Sequence, residues 1–125
     1  MELKHQIDEI VESLRQEGLE LLQRLVRIPT LAGNEKPCQE IVAERMKAIG
    51  LEVDVWDLPD AELTKHPAYV PVEQGYKHRP NVVGIYRGRG GGRSLILNGH
   101  VDVVPVGPES YWERSPWSGE YLDGR

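Results

Sequence analysis

Apolar residues at Leu3, Ile7, Ile10, Val11, Leu14, Leu21, Leu22 and Leu25 return mostly at intervals of three and four, which is the stripe of an amphipathic helix. Pro29 lacks a backbone donor, so that helix should end near Arg27 and Ile28. Gly18 falls inside the stripe and either divides it into two helices or weakens a single one. A second helix is predicted after Asn34, a residue suited to capping, with Ile41, Val42, Met46 and Ile49 on its inner side and Gly50 as its stop. At Leu51 the period changes. LEVDVWDL, Leu51 to Leu58, alternates apolar and acidic residues and reads as a strand with one face on a core and the other in water.

The segment from Asp60 to Arg79 holds Pro67 and Pro71, has Pro59 and Pro80 at its borders and keeps neither period, so it reads as a long ordered loop. NVVGIY, Asn81 to Tyr86, reads as a second strand. After RGRGGGR comes SLILN, Ser94 to Asn98, apolar on both faces. Such a strand belongs in the middle of a sheet covered by helices. The order of periods therefore predicts an α/β fold, with two helices preceding a small mixed sheet whose central strand is Ser94 to Asn98.

A chain of 125 residues, 39% hydrophobic and 28% charged, is expected to form one compact unit. Its net charge of −5 gives no reason to expect a polyanionic partner such as nucleic acid. Cys38 is the single cysteine, which rules out an internal disulfide and a four-cysteine zinc site within this chain and fits a reducing compartment. The opening MELKHQIDEIVESL is charged throughout, unlike a secretory signal, and no later run approaches the roughly 18 apolar residues of a membrane span. A cytoplasmic location without a membrane partner is expected. The cluster of Gly88, Gly90, Gly91 and Gly92 among Arg87, Arg89 and Arg93 reads as a flexible strand connection. A phosphate cradle would need a helix N-terminus after it, and an Arg-Gly segment for RNA makes a poor footprint in an acidic chain.

The chemistry-bearing stretch is LILNGHVDVVP, Leu95 to Pro105. In an extended segment residues two apart point to the same side, so His100 and Asp102 can be neighbours. A carboxylate that accepts one imidazole N–H fixes the tautomer and raises the basicity of the other nitrogen, the arrangement of a metal-binding histidine. Gly99 allows close backbone approach there. An ordinary hydrogen-bonded His–Asp pair at a strand end is the competing reading of the tripeptide taken alone.

The wider context adds to this. NGHVDVVPVG, followed by Trp112, Ser115-Pro116-Trp117, Ser118-Gly119-Glu120 and Asp123-Gly124-Arg125, resembles the first metal motif of the M20 metallopeptidase and deacylase family. LLQRLVRIPT, LEVDVWDL and RPNVVGIYRG extend the resemblance over nearly the whole chain. Trp117 stands where the family commonly has phenylalanine. The HPAY loop points to the acetylornithine deacetylase and succinyl-diaminopimelate desuccinylase type rather than to the dipeptidases.

The resemblance implies an incomplete αβα sandwich of the zinc-dependent exopeptidase type, with residues 1–125 as the N-terminal part of the catalytic domain and no lid or dimerisation domain. It implies two zinc ions, which cobalt could replace, with His100 as a metal ligand and Asp102 as the catalytic carboxylate that orients its imidazole. The substrate implied is an N-acyl amino acid or related small amide. A bridging Asp, a Glu general base and the other ligands match no position here. His5, His66 and His78 read as surface groups, Cys38 as a small core residue, and Trp112 and Trp117 as residues near the site entrance or core filling. The 125 residues alone are thus expected to bind zinc weakly, to lack amidase activity and to self-associate, as a fragment, a truncated product or one of two chains. The alternatives are a non-catalytic interaction module and the corresponding part of an M20 dipeptidase or carboxypeptidase.

Overall fold

In the computed structural model, which describes residues 2–125, the helical stripe of the N-terminus becomes two helices, α1 (Glu2–Ser13) and α2 (Arg15–Val26). The break lies at Leu14, whereas Gly18 sits inside α2 and donates to the Leu14 carbonyl at 2.9 Å. Its local cause is visible. The Ser13 hydroxyl donates back to the Ile10 carbonyl at 2.7 Å, and the Leu14 N–H is shared between the Ile10 and Val11 carbonyls at 3.1 and 3.2 Å. A side chain competing for a helical acceptor loosens the ladder where it does so.

The next helix, α3 (Lys36–Ala48), has Glu35 rather than Asn34 at its N-cap position, with no side-chain capping hydrogen bond from it, and Pro37 occupies its first turn, where a missing N–H costs nothing. It ends as the sequence predicts. Gly50, at φ 84°, lets the Leu51 N–H reach the Met46 carbonyl at 3.0 Å and its own N–H reach the Lys47 carbonyl at 2.9 Å, the paired closure of a Schellman motif. Three helices, not two, thus precede the first strand.

Strand β1 (Glu52–Trp56) pairs antiparallel with β2 (Asn81–Ile85), Glu52 opposite Ile85 and Trp56 opposite Asn81. α3 packs on both strands, burying Cys38 and Ala43 and half-burying Ile41, Val42 and Met46. Ile49, expected on the inner side, is exposed. Between the strands the expected loop contains one short helix, α4 (Asp60–Leu63). A 3₁₀ turn lies at Glu109–Tyr111.

The largest correction concerns Ser94 to Asn98. This segment forms no strand, and Leu95, Ile96 and Leu97 are 81%, 87% and 88% exposed. A strand apolar on both faces needs pairing partners and a cover, and among the described residues β1 and β2 pair only with each other. The sheet is therefore two-stranded and antiparallel, not mixed. The architecture is helical with a small sheet, in keeping with an α/β class, but an αβα sandwich is not seen among the described residues.

The chain also divides into two compact units rather than one: the segment up to Pro29 with Val106–Arg125, and Thr30–Pro105. In the first, Gln23 Nε2 donates to the Gly119 carbonyl at 2.6 Å and Arg27 Nε to the Ser118 carbonyl at 3.1 Å, tying the C-terminal loop to α2. The apolar stripe of α1 covers nothing, since none of its residues is buried. In the second unit a buried ion pair holds the long loop, with Arg79 Nη2 2.6 Å from Glu35 Oε1 and the Gly33 N–H donating to the same carboxylate at 3.0 Å. No helix among the described residues is long and apolar enough to cross a membrane.

Candidate functional site

His100 and Asp102 lie in a segment of the second unit that belongs to no helix or strand. The side chains meet, with His100 Nδ1 2.9 Å from Asp102 Oδ1 and 3.0 Å from the Asp102 backbone oxygen. An ionised carboxylate and a backbone carbonyl can only accept, so Nδ1 carries the proton and, in the neutral ring, Nε2 keeps its lone pair. Nε2 has no hydrogen-bond partner among the described residues, and the imidazole is 82% exposed. An imidazole held at one nitrogen and open at the other has the donor chemistry of a single metal ligand.

The segment is fixed from a distance by Thr30, which is 4% exposed. Its Oγ1 donates to the Val101 carbonyl at 2.6 Å, and its own carbonyl accepts from the Val103 N–H at 3.0 Å. Thr30 went unnoticed in the sequence. Its only signal there is a hydroxyl residue directly after the helix-stopping Pro29 in RIPT.

No group of three or more His, Cys, Asp or Glu side chains that could hold a metal ion occurs among the described residues. His5 sits on α1, 3.3 Å from Glu9, and His78 lies 3.9 Å from Asp57. His66 Nδ1 accepts from the Ala68 N–H at 3.1 Å. None of these contacts adds a ligand to His100. Burial pushes the Cys38 thiol above its ordinary value, the opposite of an activated nucleophile. Trp112 donates from Nε1 to the Val106 carbonyl at 3.0 Å within the first unit, to which Trp117 also belongs. A shallow cavity of about 270 Å³ between Leu58, Leu63, Tyr69 and Tyr76 includes neither His100 nor Asp102 in its lining.

No family model matches the chain. A succinyl-diaminopimelate desuccinylase from Hahella chejuensis is 33% identical over 107 residues, a stretch that covers 85% of this chain and 22% of that protein. The chain thus spans about a fifth of the length of the curated relative it matches. With this relative and the HVD motif together, the chain belongs to the M20 metallopeptidase and deacylase family.

Proposed function

We propose that these residues form part of a metal-dependent amidohydrolase that cleaves the amide bond of an N-acyl amino acid, N-succinyl and N-acetyl substrates first among them. The observation that carries this reading is the His100 Nδ1–H held on Asp102 Oδ1 at 2.9 Å, which leaves Nε2 open. His100 would hold one ion through Nε2, and Asp102 would keep the ring in the tautomer and orientation that binding requires. The chemistry that zinc supplies when bound is Lewis acidity, which polarises an amide carbonyl and brings the pKa of a water toward about 7. Two such ions need several further carboxylate and imidazole ligands, because zinc enzymes commonly use about three protein ligands per ion. The 125 residues by themselves therefore bind zinc weakly and lack amidase activity.

The test uses the full-length protein containing this segment, assayed with zinc or cobalt against N-succinyl and N-acetyl amino acids and a set of dipeptides. Hydrolysis of the acyl amino acids, abolished in His100→Ala and reduced about 10- to 100-fold in Asp102→Asn, is the expected result. Cleavage of dipeptides alone would move the assignment to the peptidase side of the family. The open apolar residues of α1 and of Leu95 to Leu97 favour a second reading, a module that binds another chain. Partner binding that survives replacement of both His100 and Asp102, with no hydrolysis by the full-length protein, would establish that reading instead.

A further inference from the structure

We infer that Thr30 is the positioning residue of the His100–Asp102 pair, an inference that rests on the metal-site reading of that pair. The two side chains meet across one intervening residue, so their contact depends on the course of the backbone through Val101 and Asp102. Sheet pairing would normally hold such a segment, and among the described residues no strand pairs with it. Two hydrogen bonds take its place, and both go to one residue. The Thr30 hydroxyl donates to the Val101 carbonyl at 2.6 Å, and the Thr30 carbonyl accepts from the Val103 N–H at 3.0 Å. The anchored groups flank Asp102 on its two sides, so they fix the peptide planes from which its carboxylate reaches Nδ1. Thr30 is 4% exposed while the His100 side chain is 82% exposed. The rigid end of the device is therefore buried and the ligand end is open, as a preorganised ligand requires.

Thr30 touches neither the imidazole nor any reacting atom, so its effect must appear in the state of His100 rather than in stability alone. The experiment uses the full-length protein containing this segment, labelled with ¹⁵N at histidine, freed of metal, held at pH 8 and observed through the long-range couplings of the histidine rings. In the wild type the His100 signals report the Nδ1–H tautomer. Thr30→Val, which keeps the shape and removes the donor, shifts them toward the mixture of a free imidazole and weakens zinc binding, followed at the same signals, about tenfold. Thr30→Ser restores both readouts because it restores the hydroxyl. If Thr30→Val does not fold, the wild type still decides: the Thr30 hydroxyl proton and the Val103 amide should exchange slowly with water, and free exchange of both would overturn the inference. Asp102→Asn separates the two levels of the argument. If it changes the tautomer and zinc binding while a folded Thr30→Val changes neither, only the role of Thr30 falls; if Asp102→Asn itself changes nothing, the reading of the pair falls and takes Thr30 with it.

Discussion

Single residues in this chain carry unequal consequences, and local geometry decides which. Gly119, at φ 58°, would bring an added Cβ to 2.7 Å from the Gln23 carbonyl, a backbone atom that cannot yield without moving α2. Gly84 would bring one to 2.6 Å from Leu51 Cδ2 and 2.8 Å from Met46 Sδ, the far ends of flexible side chains. Gly119→Ala should therefore cost about 3 kcal/mol, from the left-handed backbone and the clash together, and Gly84→Ala about 1 kcal/mol. Denaturant unfolding of the two variants checks the order, and equal costs would contradict it. The Glu35–Arg79 pair makes a pH prediction. Burial pushes the Glu35 carboxyl up, but the hydrogen bonds from Arg79 and the Gly33 N–H outweigh it and leave the group below its ordinary value. A carboxylate depressed in the folded state adds stability that is complete above its unfolded value of about 4.3 and is lost as pH falls through the folded value. The stability difference between wild type and Glu35→Gln should shrink accordingly below about pH 4, while Arg79→Ala at neutral pH should cost about 3 kcal/mol by leaving a buried charge unpaired. A difference that stays constant from pH 7 to pH 3 would count against the depressed carboxyl. The meeting of His100 and Asp102 was legible in the sequence because period-two geometry is local. Thr30 and Arg79 were not, because they act on residues 71 and 44 positions away, a proximity that only the folded chain creates.

Among the elements, those whose signal is self-contained formed where the sequence placed them. Helix α3 carries its own stop in Gly50, and β1 and β2 carry their own boundaries in the change of period, so their ends agree with expectation within a few residues. SLILN lacks that independence. A continuous apolar run says that a segment should be buried, but burial and pairing depend on what lies beside it, and among the described residues no strand pairs with it. The N-terminal stripe did form helices as expected, broken at Leu14 rather than at Gly18, and no residue of α1 is buried. The core under α3 is small enough that a single group matters. Cys38 is 3% exposed and its thiol is pushed up by burial, so Ellman's reagent should modify it slowly in the folded chain and at the rate of a free thiol after unfolding in guanidinium. Immediate modification of the native chain would mean that α3 does not stay on the strands.

At the scale of the whole molecule, the balance between covered and uncovered apolar surface controls behaviour. Among the described hydrophobic residues only Cys38 and Ala43 are buried, while Leu3, Ile10 and Val11 on α1 and Leu95, Ile96 and Leu97 after the glycine cluster are each more than half exposed. A soluble monomer rarely leaves apolar residues so densely open, because removing each square ångström of apolar surface from water gains about 25 cal/mol. Net charge opposes association, but −5 spread over 125 residues acts over a screening distance of about 8 Å at physiological salt and cannot offset contacts made at van der Waals range. The 125-residue chain is therefore expected to self-associate, with an apparent mass in gel filtration that rises with loading concentration and falls when Ile96 is replaced by lysine. The response to salt identifies the force. Raising sulfate should strengthen an association driven by apolar burial, whereas one driven by surface ion pairs would weaken. An elution mass of one chain, unchanged over a hundredfold range of concentration and in sulfate, would show that these residues cover one another in solution in a way that the folded chain described here does not.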